Sequence, residues 1–210
     1  MGRKESRLQP EVIQVLLAYW RQLKGRERAP ERNAIDPMAI RSVLADSFIL
    51  EYAPLAGFPL RVVGTRIDGL FRRDLRGESF LGLWTSEIRD EISEILETVA
   101  DHAQPYLLNA SGGPSTRESL TLEVLLLPLR HYGVARGRVF GACARNGAPP
   151  WLGLAPIRPL SLTSFAPIRS DAQELPYNLD RPISRPTCAT PSVVAFPAPA
   201  AAAESARASP

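Results

Sequence analysis

The sequence has little cysteine and little histidine. Its 210 residues contain two cysteines, Cys143 and Cys188, and two histidines, His102 and His131. So few cysteines, placed far apart, exclude a disulfide-rich secreted domain and do not have the spacing of a zinc site. Nucleophilic catalysis requires a serine or cysteine beside a base, and neither histidine belongs to such a set. We therefore predict a protein that is not an enzyme and binds no metal.

Long apolar runs are absent as well. No stretch of the sequence reaches the roughly 18 consecutive apolar residues that a membrane helix requires. The N-terminal segment MGRKESRLQPEV also lacks the apolar core of a secretory signal peptide. We therefore expect a cytoplasmic protein that has no membrane partner.

Lysine is rare, and the net charge is small. Lys4 and Lys24 are the only lysines, so arginine carries nearly all the positive charge, and the formal net charge is +3. This excess is too small to indicate nucleic-acid binding. The charge is uneven, because residues 1–76 are basic and residues 77–105 are acidic. The acidic stretch favours a solvated helix face, and a surface that docks a basic partner is the alternative.

Proline, in contrast, is abundant and concentrated towards the C-terminus. The sequence has 20 prolines, and it ends in the low-complexity run AFPAPAAAAESARASP. Such a segment buries too little apolar area to offset the entropy that it would lose on ordering. We therefore predict a flexible N-terminus at 1–9, one domain at 10–168 and a disordered tail at 169–210.

Three longer segments have helical signals. Apolar residues recur at helical spacing over residues 10–24. A second helix is predicted over 36–47, because Asp36 is a good N-cap and Pro37 would occupy the favoured first helical position. The third and most regular helix is predicted over 86–102. The first two of these helices would form an N-terminal extension at 10–47.

Alternating or strongly apolar segments predict the strands. Two of them, 48–52 and 58–64, precede the main helical region, and the others follow Pro105 and end with 159–165. Alternating βαβ units are absent, so a doubly wound parallel sheet is not expected. The order therefore predicts an α+β fold in which a helical crossover interrupts an antiparallel sheet.

Five segments between about residues 10 and 165 form a recognisable set. They are YWRQLKGRERAPERNAIDPMAI, FILEY, FPLRVVGTRIDGLFRRDLRGESFLGLW, LLLPL and PPWLG. This set resembles a bacterial family of stand-alone PAS-like proteins. The resemblance implies a PAS-like five-stranded antiparallel sheet with a helical crossover. It also implies a sensory or regulatory module that acts through protein partners in bacterial signalling.

The resemblance places a cavity between the sheet and the crossover helices. By position, Arg61, Phe71, Phe80 and Trp84 are candidates for a ligand-binding wall, and ordinary core packing is the alternative for all four. Arg61 is the least suited to a core. It therefore predicts either an anionic ligand or a structural ion pair.

The sequence does not identify a cofactor. Flavin-binding photosensory PAS domains carry a reactive cysteine on the middle helices, and this sequence has no cysteine before Cys143. Cys143 falls on a late predicted strand, where a small buried apolar residue is the usual interpretation. Either histidine could in principle bind haem, but no second axial ligand is indicated.

Glu123 lies in the most apolar predicted strand. Strand alternation predicts that its side chain faces solvent. The alternative is burial as an ion pair with Arg61.

The first helix has an apolar stripe that includes Trp20. This stripe must pack either on the sheet of its own chain or on a second copy, and soluble oligomers are most often twofold. We predict a homodimer that forms through this helix.

Three functions stay open at this point. The first is a PAS-type regulatory module with or without a small ligand. The second is an enzyme with an unrecognised site. The third is a nucleic-acid-associated regulator that uses the basic N-terminal half, and it predicts strongly salt-dependent binding.

Overall fold

A computed structural model of the chain describes residues 10–115, 118–131 and 134–169. The flexible N-terminus predicted at 1–9 lies outside this range, and so does the tail predicted at 169–210 except for its first residue. The described residues form six strands and three α-helices, joined by loops and short 3₁₀ turns. The strands are β1 (Ser47–Glu51), β2 (Leu60–Val63), β3 (Tyr106–Ser115), β4 (Glu118–His131), β5 (Val134–Asn146) and β6 (Ser161–Pro167), and the helices are α1 (Glu11–Lys24), α2 (Thr65–Phe71) and α3 (Arg89–His102).

All six strands belong to one antiparallel sheet, in the order β2-β1-β5-β4-β3-β6. The predicted α+β class and helical crossover are confirmed, since α2 and α3 lie between β2 and β3 in the chain. The predicted count of five strands is wrong. The sixth strand pairs with β3, whose backbone groups would otherwise form an unpaired sheet edge.

The sheet is buried on both faces. Successive side chains of a strand point to opposite faces, so the apolar run of β4 serves two separate cores. One core lies under the crossover helices and includes Leu120, Leu122, Val124 and Leu126. The other lies under α1 and includes Leu125, Leu127 and Leu129. We call these the crossover face and the α1 face.

Helix α1 packs on the sheet of its own chain. The largest side chain of its apolar stripe, Trp20, is 1 % exposed, and its indole Nε1 donates a hydrogen bond to the Pro128 carbonyl at 2.9 Å. The apolar stripe of α1 therefore packs within its own chain. The predicted homodimer stays a prediction, and it would have to use a surface other than this stripe.

The helix predicted over 36–47 is wrong. Its start signal does act locally, because Asp36 Oδ1 accepts a hydrogen bond from the Met38 backbone amide at 2.9 Å. The chain then continues as turns and a single 3₁₀ turn. A short helix gains few hydrogen bonds for the cost of nucleation, whereas the turns bury Ile40 and Val43 against the α1 face.

Among the described residues, no helix is both long enough and apolar enough to cross a membrane.

Candidate functional site

Three aromatic rings lie in contact between the sheet and the crossover helices. Phe48 projects from β1 and stacks on Phe80, with the ring centroids 5.5 Å apart. Phe80 meets the edge of Trp84 at 5.9 Å. All three side chains are buried. We call Phe48, Phe80 and Trp84 the aromatic cluster.

The backbone around Trp84 is fixed on both sides. The segment that leads into β6 binds it, since Leu160 N donates to the Leu83 carbonyl at 2.8 Å and Thr85 N donates to the Leu160 carbonyl at 2.9 Å. The Trp84 carbonyl accepts a hydrogen bond from Arg89 Nε at 3.2 Å. The backbone at Trp84 is therefore held by two separate parts of the chain.

The indole Nε1 of Trp84 has no hydrogen-bond acceptor among the described residues. The side chain is fully buried, so water does not reach this N–H group directly. A buried donor without an acceptor costs about 1–3 kcal/mol. Trp20, the other fully buried tryptophan described, does satisfy its indole. Trp84 therefore presents an unused donor inside an apolar site.

The structure separates the four predicted site residues into two groups. Phe80 and Trp84 are in contact, and Phe71, at the end of α2, belongs to the same core. Arg61 lies elsewhere, because its side chain is 55 % exposed and forms an ion pair with Glu51. Phe48 was not among the predicted site residues. The signal that could have identified it is its alternation with Leu50, which faces the same core.

Glu123 is buried rather than exposed, so the solvent-facing prediction is wrong. Glu123 is only 4 % exposed. Alternation does direct it away from the crossover face, towards the face on which α1 packs over β4 and β5. Pairing with Arg61 does not occur, because Arg61 is on β2 and two strands separate β2 from β4.

A buried polar group lies where the 3₁₀ turn enters β1. Asp46 is 6 % exposed and forms an ion pair with Arg66 of α2. Burial raises the pKa of Asp46 above its ordinary value of 3.8, and the positive charges of Arg66 and Arg145 partly oppose that rise. Nearby on β5, burial and the charge of Asp46 raise the pKa of the Cys143 thiol to about 12. That thiol is therefore protonated and unreactive near neutral pH.

We expect the stability that Asp46 contributes to fall as the pH rises. Its folded-state pKa lies above 3.8, so above that pH the folded chain holds more protons at Asp46 than the unfolded chain does. The free energy of unfolding of the wild type minus that of Asp46→Asn should therefore decrease between pH 3 and pH 7. Urea unfolding followed by circular dichroism measures this difference.

The variant Arg66→Gln provides the matched comparison. Arg66 lowers the pKa of Asp46, so its removal should make the decrease with pH steeper. A difference that increases with pH would contradict the prediction, because it would mean that the ion pair outweighs burial.

Five arginines of the described chain are paired with carboxylates. These pairs join Arg61 and Arg138 to Glu51, Arg66 to Asp46, Arg73 to Glu78, and Arg130 to Glu27 and Glu31. Paired arginines leave less free positive charge for contacts with phosphates. The nucleic-acid alternative therefore gains no support from their arrangement.

Two solved structures are similar to this chain. The crystal structure of the Rhodobacter sphaeroides LOV protein has 9 % sequence identity, covers 55 % of this chain and 71 % of its own, and gives a TM-score of 0.38. A point variant of that LOV protein has 12 % identity, covers 55 % and 72 %, and gives the same score. No curated protein matches the sequence.

The family comparison is independent of those structures. The sequence profile of the PAS domain matches residues 8–144, which is more than half of the chain. The matched region extends from the start of α1 through most of β5, and so includes the aromatic cluster and the crossover helices. The chain therefore belongs to the PAS domain family, whose members are sensory and signalling modules.

Proposed function

We propose that the chain is a regulatory module that binds a small ligand beside the aromatic cluster. Protein contacts would then transmit the ligand-bound or ligand-free state to a partner. Membership of the PAS family supports the sensory role. The ligand would lie between the crossover face of the sheet and the helices α2 and α3. The aromatic rings would supply apolar contact area, as is usual in small-molecule sites.

The observation that carries this proposal is the unused indole N–H of Trp84. Buried N–H donors are almost always paired in native proteins. The simplest explanation for the unpaired indole is therefore that a ligand supplies the acceptor. The ligand would then have a flat or apolar body and at least one acceptor, such as a carbonyl or hydroxyl oxygen or an aromatic nitrogen. Binding would pair the N–H and remove the cost of leaving it unsatisfied.

Helix α3 is the element best suited to report the bound state. Its apolar side, including Ile92, Leu96 and Val99, packs in the same core as the aromatic cluster. Its outer side carries the exposed carboxylates Asp90, Glu91 and Glu94. A shift of α3 on ligand binding would move this acidic surface, which fits a partner with a basic docking surface.

Native mass spectrometry of the purified chain tests the proposal. We expect the wild type to carry a small molecule that denaturation releases, or to bind one from a metabolite library. The variant Trp84→Phe keeps a ring but removes the donor, so it should bind the same molecule about three- to tenfold more weakly. The variant Trp151→Phe, in a half-buried loop, serves as the matched control and should bind like the wild type.

Two results would contradict the proposal that a ligand binds beside Trp84. One is a native mass that equals the sequence mass, with no library binding. The other is equal binding by the wild type and Trp84→Phe. In either case the chain would be an interaction scaffold without a ligand.

A further inference from the structure

A cavity opens on the α1 face of the sheet, and of the aromatic cluster only Phe48 lines it. Its floor is a row of side chains that are direct cross-strand neighbours: Val62 of β2, Ile49 of β1 and Phe140 of β5. Its wall is the irregular segment 32–44, in which the predicted helix does not form. The cavity volume is about 100 Å³.

The cavity exists because α1 covers the α1 face incompletely. Helix α1 packs over β4 and β5, whereas Ile49 of β1 and Val62 of β2 face the cavity together with residues of segment 32–44. Apolar side chains stay exposed where the covering ends: Met38 at 66 %, and Leu44 and Val62 at 40 % each. The cavity thus continues outwards as an apolar surface.

The lining is almost entirely apolar. Besides the floor it includes Ile35, Pro37, Ile40, Leu44 and Phe48, and its polar side chains are those of Ser47 and Arg32. The hydroxyl of Ser47 already donates to the Val43 carbonyl at 2.9 Å. The nearby carboxylate of Asp36 is engaged by the Met38 amide.

Arg32 is the exception among these polar groups. It is exposed, and within the described part of the chain its guanidinium makes no hydrogen bond or ion pair. Arg61 and Arg66 are paired, in contrast. A guanidinium that has no other partner binds a carboxylate strongly and with specific geometry. The cavity therefore combines an apolar interior with one available positive charge at its mouth.

We propose that this cavity binds a small amphiphile that has one apolar chain and one carboxylate, such as a medium-chain fatty acid. The carboxylate would pair with Arg32. The first carbons would fill the cavity, whose volume is about that of three water molecules. The rest of the chain would lie along Leu44, Val62 and Met38. This site is distinct from the one proposed at Trp84, because it lies on the opposite face of the sheet.

Titration with octanoate and with 1-octanol tests the chemistry directly. Isothermal calorimetry gives the affinities, and ¹H–¹⁵N NMR identifies the amides that respond. We expect octanoate to bind, to bind at least threefold more tightly than octanol, and to shift the amides of Ile35, Leu44 and Val62. Trp84→Phe should bind octanoate like the wild type.

Variants separate the two parts of the site. Arg32→Gln should weaken octanoate about three- to fivefold, the range expected for an exposed ion pair, and leave octanol unchanged. Arg41→Gln is the matched control, because Arg41 is also exposed but does not line the cavity. Val62→Asp places a carboxylate in the floor and should weaken both ligands at least tenfold. Val62 is 40 % exposed, so this variant should remain folded, which circular dichroism checks.

Three results would overturn the proposal. The first is no binding of either compound, which would leave a protein surface as the alternative occupant. The second is equal binding of octanoate and octanol, or an equal effect of Arg32→Gln and Arg41→Gln, which would exclude carboxylate recognition. The third is binding that Val62→Asp leaves unchanged and Trp84→Phe reduces, which would place the ligand on the crossover face.

Discussion

Replacing Trp20 by alanine should lower the free energy of unfolding by about 3–5 kcal/mol, the range for removing a fully buried tryptophan. Two losses contribute. The indole fills the space between α1 and the sheet, where it is 1 % exposed. Its Nε1 also donates to the Pro128 carbonyl, which would be left without this donor inside the α1-face core. Urea unfolding monitored by circular dichroism at 222 nm measures the change.

Trp20→Phe is the matched variant. It keeps a ring in the core but removes the hydrogen bond, so the expected loss is smaller, about 1–2 kcal/mol. A loss below about 1 kcal/mol for the alanine variant would contradict the packing of α1 on its own sheet. Repeating the measurement over a range of protein concentrations adds a second check. If α1 packed instead on a second copy, the stability of the wild type would depend on concentration.

Replacing Gly141 by alanine should destabilise the protein by about 2–3 kcal/mol, as overpacking of a well-filled core does. Gly141 lies on central strand β5, directly opposite Phe48 of β1. A Cβ atom at this position would collide with the Phe48 ring and with the Leu125 carbonyl. The carbonyl belongs to the sheet and cannot move freely. The strain would therefore reach the aromatic cluster through Phe48.

Gly69→Ala is the control for the same chemical change. Gly69 lies within α2, is exposed, and would gain a Cβ that meets nothing within 4 Å. Alanine is the better helix former, so this variant should be more stable by about 0.5–1 kcal/mol. Chemical denaturation of both variants provides the comparison. Similar changes in stability at the two positions would contradict the close approach of β1 and β5.

Local signals predicted the regular helices well. The apolar periodicity over 10–24 corresponds to α1, and most of 86–102 corresponds to α3. The helix predicted over 36–47 does not form, although Asp36 accepts a hydrogen bond from the Met38 amide as an N-cap would. Capping determines where a helix can begin, whereas its continuation depends on how the apolar residues pack. Here Ile40 and Val43 reach the α1 face from a turn-rich backbone.

The candidate site was predicted only in part. Large aromatic residues in the crossover are expected to enter the core, and Phe80 and Trp84 do so. Sequence alone cannot show that the Trp84 indole lacks an acceptor, because its possible acceptors come from distant parts of the chain. Arg61 illustrates the opposite case. Its nearest carboxylate, Glu51, is on the paired strand β1, and only the pairing of β1 with β2 brings the two together.

The sequence by itself determined the class of the fold, the position of the crossover and the family motifs, because those depend on local periodicity and on residue type. Tertiary structure decided which surfaces are covered. Glu123 shows the difference, since alternation correctly directs it away from Leu122 and Val124. Whether the opposite face meets water or a helix depends on where α1 docks, and α1 joins the sheet through contacts between residues more than 100 positions apart, such as Trp20 and Pro128. Burial is a property of that docking, so no local pattern around Glu123 could reveal it.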